Sequence, residues 1–153
     1  MNIVHTNIEV YRAIAEDAFE EMIQLDSSSR RRKDDGSNGF IITYDPEHKS
    51  FKKSMIVVVF TGMWLEALLH QEIVKKYGEE EFKKVDRKKT YEQKLALLGI
   101  HDQELMDKVK RFRETRKELV HEKAFLDEGL IKTAQKEANV ANEVMSGITE
   151  QLQ

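Results

Sequence analysis

The chain predicts an all-α fold, an up-and-down bundle of four or five helices with a short β arm near residues 38–46. Three observations carry that prediction. The sequence has one proline and seven glycines in 153 residues, with 40% hydrophobic and 35% charged residues, which suits long helices with solvated outer faces better than a sheet. Apolar residues recur at helical spacing through most of the chain. Two segments with capping-box spacing, Thr6-Asn-Ile-Glu9 and Thr90-Tyr-Glu-Gln93, mark helix starts.

The first helix is expected from Thr6, with Ile8, Tyr11, Ala15, Ala18, Met22 and Leu25 forming its apolar stripe. The segment from Asp26 to Gly39 is polar and reads as an exposed, mobile loop. Phe40-Ile-Ile-Thr-Tyr44 has strand composition between Asn38-Gly39 and Asp45-Pro46, hence the β arm. Met55 to Phe60 is β-branched, but the unbroken continuation through Trp64 and Leu69 to Lys76 predicts one long, deeply buried helix from about Ser50 to Tyr77, stopped by Gly78. Glu79 to Lys89 carries both charges densely and reads as a short surface segment. A short helix follows over Tyr91–Leu98, ended by Gly99. Asp102 can cap a helix running to about Phe125, and Asp127 the last one, whose packing face is Leu130, Ala134, Ala141, Val144, Met145 and Ile148.

One core suffices for this length, so a single domain over residues 1–153 is expected. Absent cysteines remove disulfides and thiolate metal sites and fit a reducing compartment. The longest apolar stretch, Met55 to Leu69, is interrupted by Glu66, and Met1-Asn-Ile-Val-His-Thr6 lacks a basic, signal-like region, so a cytoplasmic protein without a membrane partner is expected. The scattered histidines do not complete a His-Glu-x-x-His pattern, and there is no glycine-rich phosphate loop, so neither a metal nor another cofactor is expected.

A net charge of −3 excludes a generally basic coat, and contact with RNA would have to rest on local clusters. Two clusters exist, Arg30-Arg31-Arg32-Lys33 and the row Lys108, Lys110, Arg111, Arg113, Arg116, Lys117. At 100° per residue Arg116 falls in the same sector as Leu105, Val109, Phe112 and Leu119, so it points at something packed and needs a carboxylate or a phosphate, or an interface that stays wet. Glu66, the lone carboxylate in the apolar part of the second long helix, is the expected one, with His70 a turn further along. His121 is rotated roughly 140° from Arg116 on an ideal helix and aligns with Arg113 and Lys117. A twofold dimer, in which both copies feed one cleft, brings the two groups together best.

Arg116-Lys-Glu-Leu-Val-His121 resembles the Arg-x4-His motif of the HEPN superfamily, the helical nucleotide-binding domains of higher eukaryotes and prokaryotes. The order of elements is similar too, with an apolar second helix bearing a Glu and a short helix at Gln93-Lys-Leu-Ala-Leu-Leu98. The resemblance spans most of the chain in architecture and residues 111–124 in motif. It implies a homodimeric, metal-independent endoribonuclease of toxin–antitoxin, abortive-infection or CRISPR type that cuts single-stranded RNA. Arg116 and His121 become the catalytic pair, with Arg113, Lys117, Glu66 and His70 supporting substrate or site.

Protein partners of antitoxin or nucleotidyltransferase type are the class the resemblance implies. Lys123 stands where members modified by a nucleotidyltransferase carry Tyr, so that modification is not expected. Lys117 stands where active members often have Asn, Asp or His, and it cannot accept a hydrogen bond. The alternative is therefore a non-catalytic HEPN-like dimer that binds a partner and has lost the chemistry.

Overall fold

The computed structural model describes residues 6–28, 30–42, 47–120 and 132–153. It is an all-α helical bundle with one small hairpin. The helices are α1 (Asn7–Ser28), α2 (Lys49–Tyr77), α3 (Glu79–Asp86), α4 (Tyr91–Leu97), α5 (Gln103–Val120) and α6 (Lys132–Leu152). Strands β1 (Arg30–Arg32) and β2 (Phe40–Ile42) lie between α1 and α2.

The β-branched run that alone would favour a strand is helical because its residues are needed inside. Val57, Val58, Trp64, Leu65, Leu69 and Ile73 are all buried, and α2 packs against each of the other five helices. Burial outweighs the modest helix penalty of β-branching. By length and composition α2 could cross a membrane, which the sequence reading did not expect. Its buried residues are those a bundle's central helix requires. Ile8, Ala15, Ala18 and Met22 of α1, and Ala134, Ala141, Val144, Met145 and Ile148 of α6, complete the core from either side as their spacing predicts.

Two segments differ from expectation. Arg30–Arg32, expected in a loop, pairs antiparallel with Phe40–Ile42, Arg31 opposite Ile41, so the β arm extends back from residue 38. Its turn is tied by Asp35, whose Oδ1 accepts from the Ser37 amide at 2.9 Å. Residues 43–46 lie outside those described. The charged stretch after Gly78 is a helix, α3, because Glu79, Glu80 and Glu81 occupy its first turn and Lys83 and Lys84 its last, matching the helix dipole. Glu80 and Glu81 also pair one turn on with Lys83 and Lys84.

The elements beside the motif are firmly ended. Thr90 Oγ1 accepts from the Gln93 amide at 3.3 Å while Gln93 Oε1 accepts from the Thr90 amide at 3.0 Å, the reciprocal box expected at the start of α4. Gly99, at φ +87°, closes α4, and the Ile100 and Gly99 amides donate to Leu95 and Ala96 carbonyls at 3.1 and 3.0 Å. Asp102 Oδ1 accepts from the Leu105 amide at 2.7 Å and starts α5. The predicted caps therefore fix the loop through which α4 leads into the motif helix. The expected Asp127 cap, Leu130 and Phe125 lie outside the described residues.

Candidate functional site

Arg116 projects from α5 across α2, and the feature that lets it do so is Gly62. A Cβ built on Gly62 would lie 2.0 Å from Arg116 Nε and 2.3 Å from Cδ, so the arginine stem rests on bare helix backbone. A glycine inside a helix costs about 1 kcal/mol relative to alanine, and this one is explained by the close approach. Glu66 stands one turn after Gly62 on the same face. Its Oε1 lies 3.1 Å from Arg116 Nη1, and its Oε2 accepts from Nη2 at 3.3 Å. The expected Arg116–Glu66 contact is thus present.

A third group, from α4, joins the pair. The Tyr91 hydroxyl donates to Glu66 Oε1 at 2.7 Å and accepts from Arg116 Nη1 at 2.9 Å, closing a ring of three polar groups. Tyr91 is buried, and burial, followed by its bond to Glu66, pushes its pKa well above the ordinary tyrosine range. It stays a neutral donor at physiological pH. Arg116 Nε, facing Gly62, finds no hydrogen-bond partner among the described residues. The Arg116 side chain is 20% exposed and that of Glu66 50%, so the arginine is inside and the carboxylate sits at the rim. An open cleft of about 440 Å³ has Glu66, Tyr91, Asp86, Lys89, Lys94 and Arg113 in its wall, while Arg116 does not line it.

The raised tyrosine has a consequence for stability. Between the unfolded and folded pKa the unfolded chain has lost the phenolic proton that the native state retains, so stability falls as pH rises. The slope contributed by Tyr91 should approach 1.4 kcal/mol per pH unit above about pH 10. Urea unfolding from pH 8 to 11 should show this fall and Tyr91→Phe should lessen it; equal slopes in both proteins would refute the assignment.

The remaining candidate residues are placed variously. Arg113 donates from Nε and Nη2 to the two carboxylate oxygens of Glu92, each at 3.1 Å, a forked pair that raises its pKa. Lys117 is exposed and makes no ion pair among the described residues. His70 is one turn past Glu66 but turns to α3, with Nε2 3.5 Å from Glu79 Oε2 and its ring edge-on to Phe82. It makes no hydrogen bond to Arg116, Glu66 or Tyr91 among the described residues. His121 lies outside those residues.

The basic row is less cationic than its sequence suggests. Arg111 forks onto Glu137, which also accepts from Thr115 Oγ1 at 3.1 Å, and Lys108 bridges Glu104 and Glu143. Lys110 and Lys117 are the exposed members of the row without an ion pair among the described residues. No group of three or more His, Asp or Glu among those residues is placed to hold a metal ion.

Sequence reasoning missed Tyr91 and Gly62. Tyr91 read only as the first apolar residue of a short helix, and its partners come from two other helices. Gly62 did carry a signal, because an isolated glycine in a long apolar helix calls for a packing reason. No family model, curated protein or solved structure matches the chain.

Proposed function

We propose that the protein is a metal-independent endoribonuclease of HEPN type that cleaves single-stranded RNA in the cleft of a homodimer. The observation that carries this reading is the ring around Arg116, the arginine of the Arg-x4-His motif, held by Glu66 and Tyr91 over a glycine cleared for it. A guanidinium fixed before substrate arrives loses little freedom on taking a phosphate. His121 supplies the imidazole for proton transfer. It removes the 2′-hydroxyl proton; the resulting oxygen attacks phosphorus, and the bond to the 5′-oxygen breaks. That oxygen takes a proton from the imidazolium so formed, which returns His121 to its neutral form and leaves a 2′,3′-cyclic phosphate. Lys117 and Lys110, unpaired among the described residues, attract the strand, and Arg113 contributes once it exchanges Glu92 for RNA. Such activity suits a toxin–antitoxin or phage-defence system with an antitoxin-type partner.

A second reading, a HEPN-like dimeric binding protein without chemistry, is favoured by one feature: both terminal nitrogens of Arg116 are already engaged. The experiment incubates purified protein with labelled single-stranded RNA and chelator. Arg116→Ala and His121→Ala should each lower the rate by about 10²-fold or more, and the product should end in a cyclic phosphate. Cleavage equally fast in both variants would refute the catalytic pair. Light scattering that finds only a monomer would remove the shared cleft.

A further inference from the structure

Arg116 and Tyr91 form a built oxyanion site that the protein fills with its own carboxylate, Glu66. Glu66 Oε1 accepts from the Tyr91 hydroxyl at 2.7 Å and lies in ion-pair range of Arg116 Nη1 at 3.1 Å, and Oε2 accepts from Nη2 at 3.3 Å. Two oxygens on one central atom, met by a fork and a hydroxyl, also describe the non-bridging oxygens of a phosphodiester. We propose that Glu66 is a stand-in for the substrate phosphate, displaced by a phosphodiester of single-stranded RNA that Arg116 and Tyr91 then hold together. This rests on the reading of Arg116 as the phosphate-holding group and adds Tyr91 as a second phosphate ligand and Glu66 as a competitor.

The difference between the three residues in exposure supports the exchange. Glu66 is half exposed at the rim of the cleft, where its carboxylate can turn into water, and exposed ion pairs are held weakly. Arg116 cannot follow it easily, because its stem lies on Gly62 and its side chain is largely covered. Tyr91 is buried and keeps its proton, so its hydroxyl remains where Glu66 leaves it. The Tyr91 hydroxyl and the Arg116 guanidinium therefore stay in place for the oxygens of an anion while the carboxylate that occupied them swings out. The arrangement also accounts for the full occupation of Arg116 without requiring it to be inert. In the free protein the carboxylate satisfies a guanidinium that would otherwise sit partly buried and unpaired.

The test measures binding of a 2′-O-methyl RNA oligonucleotide, which cannot undergo attack by its own 2′-oxygen, by fluorescence anisotropy. A stand-in competes with substrate, so Glu66→Gln should tighten binding by about tenfold, and Glu66→Ala should do the same if the amide perturbs the fold. Tyr91→Phe introduced into Glu66→Gln should weaken binding by about fivefold or more, and Arg116→Ala should abolish the gain. Thermal melting confirms that each variant is folded. A purely structural carboxylate predicts the opposite sign. Binding that is unchanged, weaker or undetectable in both folded Glu66 variants overturns the proposal.

The outcomes are separable from those of the nuclease reading. Wild-type cleavage that depends on Arg116, with no tightening in the Glu66 variants, leaves the nuclease and removes the stand-in. Tightening without cleavage in any variant leaves the anion site and removes the nuclease.

Discussion

Gly62→Ala is expected to destabilise the protein by about 1–3 kcal/mol, although alanine is the better helix former. Considered alone, the substitution in a helix interior should stabilise by about 1 kcal/mol. The added methyl would, however, stand 2.0 Å from Arg116 Nε and 2.3 Å from its Cδ, in the stem and not at its flexible end. Arg116 must lift away, which separates it from Glu66 and Tyr91 together. A double-mutant cycle makes the argument decisive. In an Arg116→Ala background the obstacle is gone, and Gly62→Ala should then stabilise by up to about 1 kcal/mol. Urea denaturation of the four proteins reads the sign change, and a similar effect in both backgrounds would show that the arginine does not rest on Gly62. RNA cleavage, under the proposed function, should fall in Gly62→Ala about as far as in Arg116→Ala.

The contact that organises the site was legible because two helical periodicities agree. Arg116 falls in the apolar sector of its helix with Leu105, Val109 and Phe112, which are buried, and Glu66 is the carboxylate embedded among the buried residues of α2. A charge in an apolar sector calls for an anion or a wet interface, and Glu66 is the carboxylate that patterning offers. Tyr91 was not legible in this way, since aromatic residues at helix starts usually serve the core and its hydroxyl partners are 25 residues away in either direction. The neutralisation of Arg111 and Arg113 was equally hidden. Their partners, Glu137 and Glu92, sit on α6 and α4, and no local spacing links them to the basic row. α3 went unread for another reason: Phe82 and Val85 are its partly buried hydrophobics, too few for a periodic signal. The strand Arg30–Arg32 is polar throughout, and its antiparallel register with Phe40–Ile42 is not something composition reveals.

The motif helix itself depends on one aromatic ring. Phe112→Ala is expected to cost about 3–5 kcal/mol, because the side chain is 1% exposed in the core and its loss removes transfer free energy and leaves a cavity. α5 packs on both α2 and α6, and Phe112, with Val109 and Leu105, supplies the buried stripe by which it does so. The denaturation midpoint should fall with little change in slope, as for a loss of packing in a still compact native state. Leu119→Ala, at a partly buried position nearer the end of the helix, should cost distinctly less. A loss below about 1 kcal/mol for Phe112→Ala would mean that the neighbouring helices close over the gap, or that α5 is held mainly by its ion pairs. Those alternatives separate on adding salt. Screening weakens exposed pairs such as Lys108–Glu104 and leaves dispersion and burial largely intact, so a helix held by packing should keep its salt-independent share of stability. Arg113 and Arg116 lie within the next turn or so of Phe112, so a shift of the helix at that ring would also move their contacts with Glu92 and Glu66.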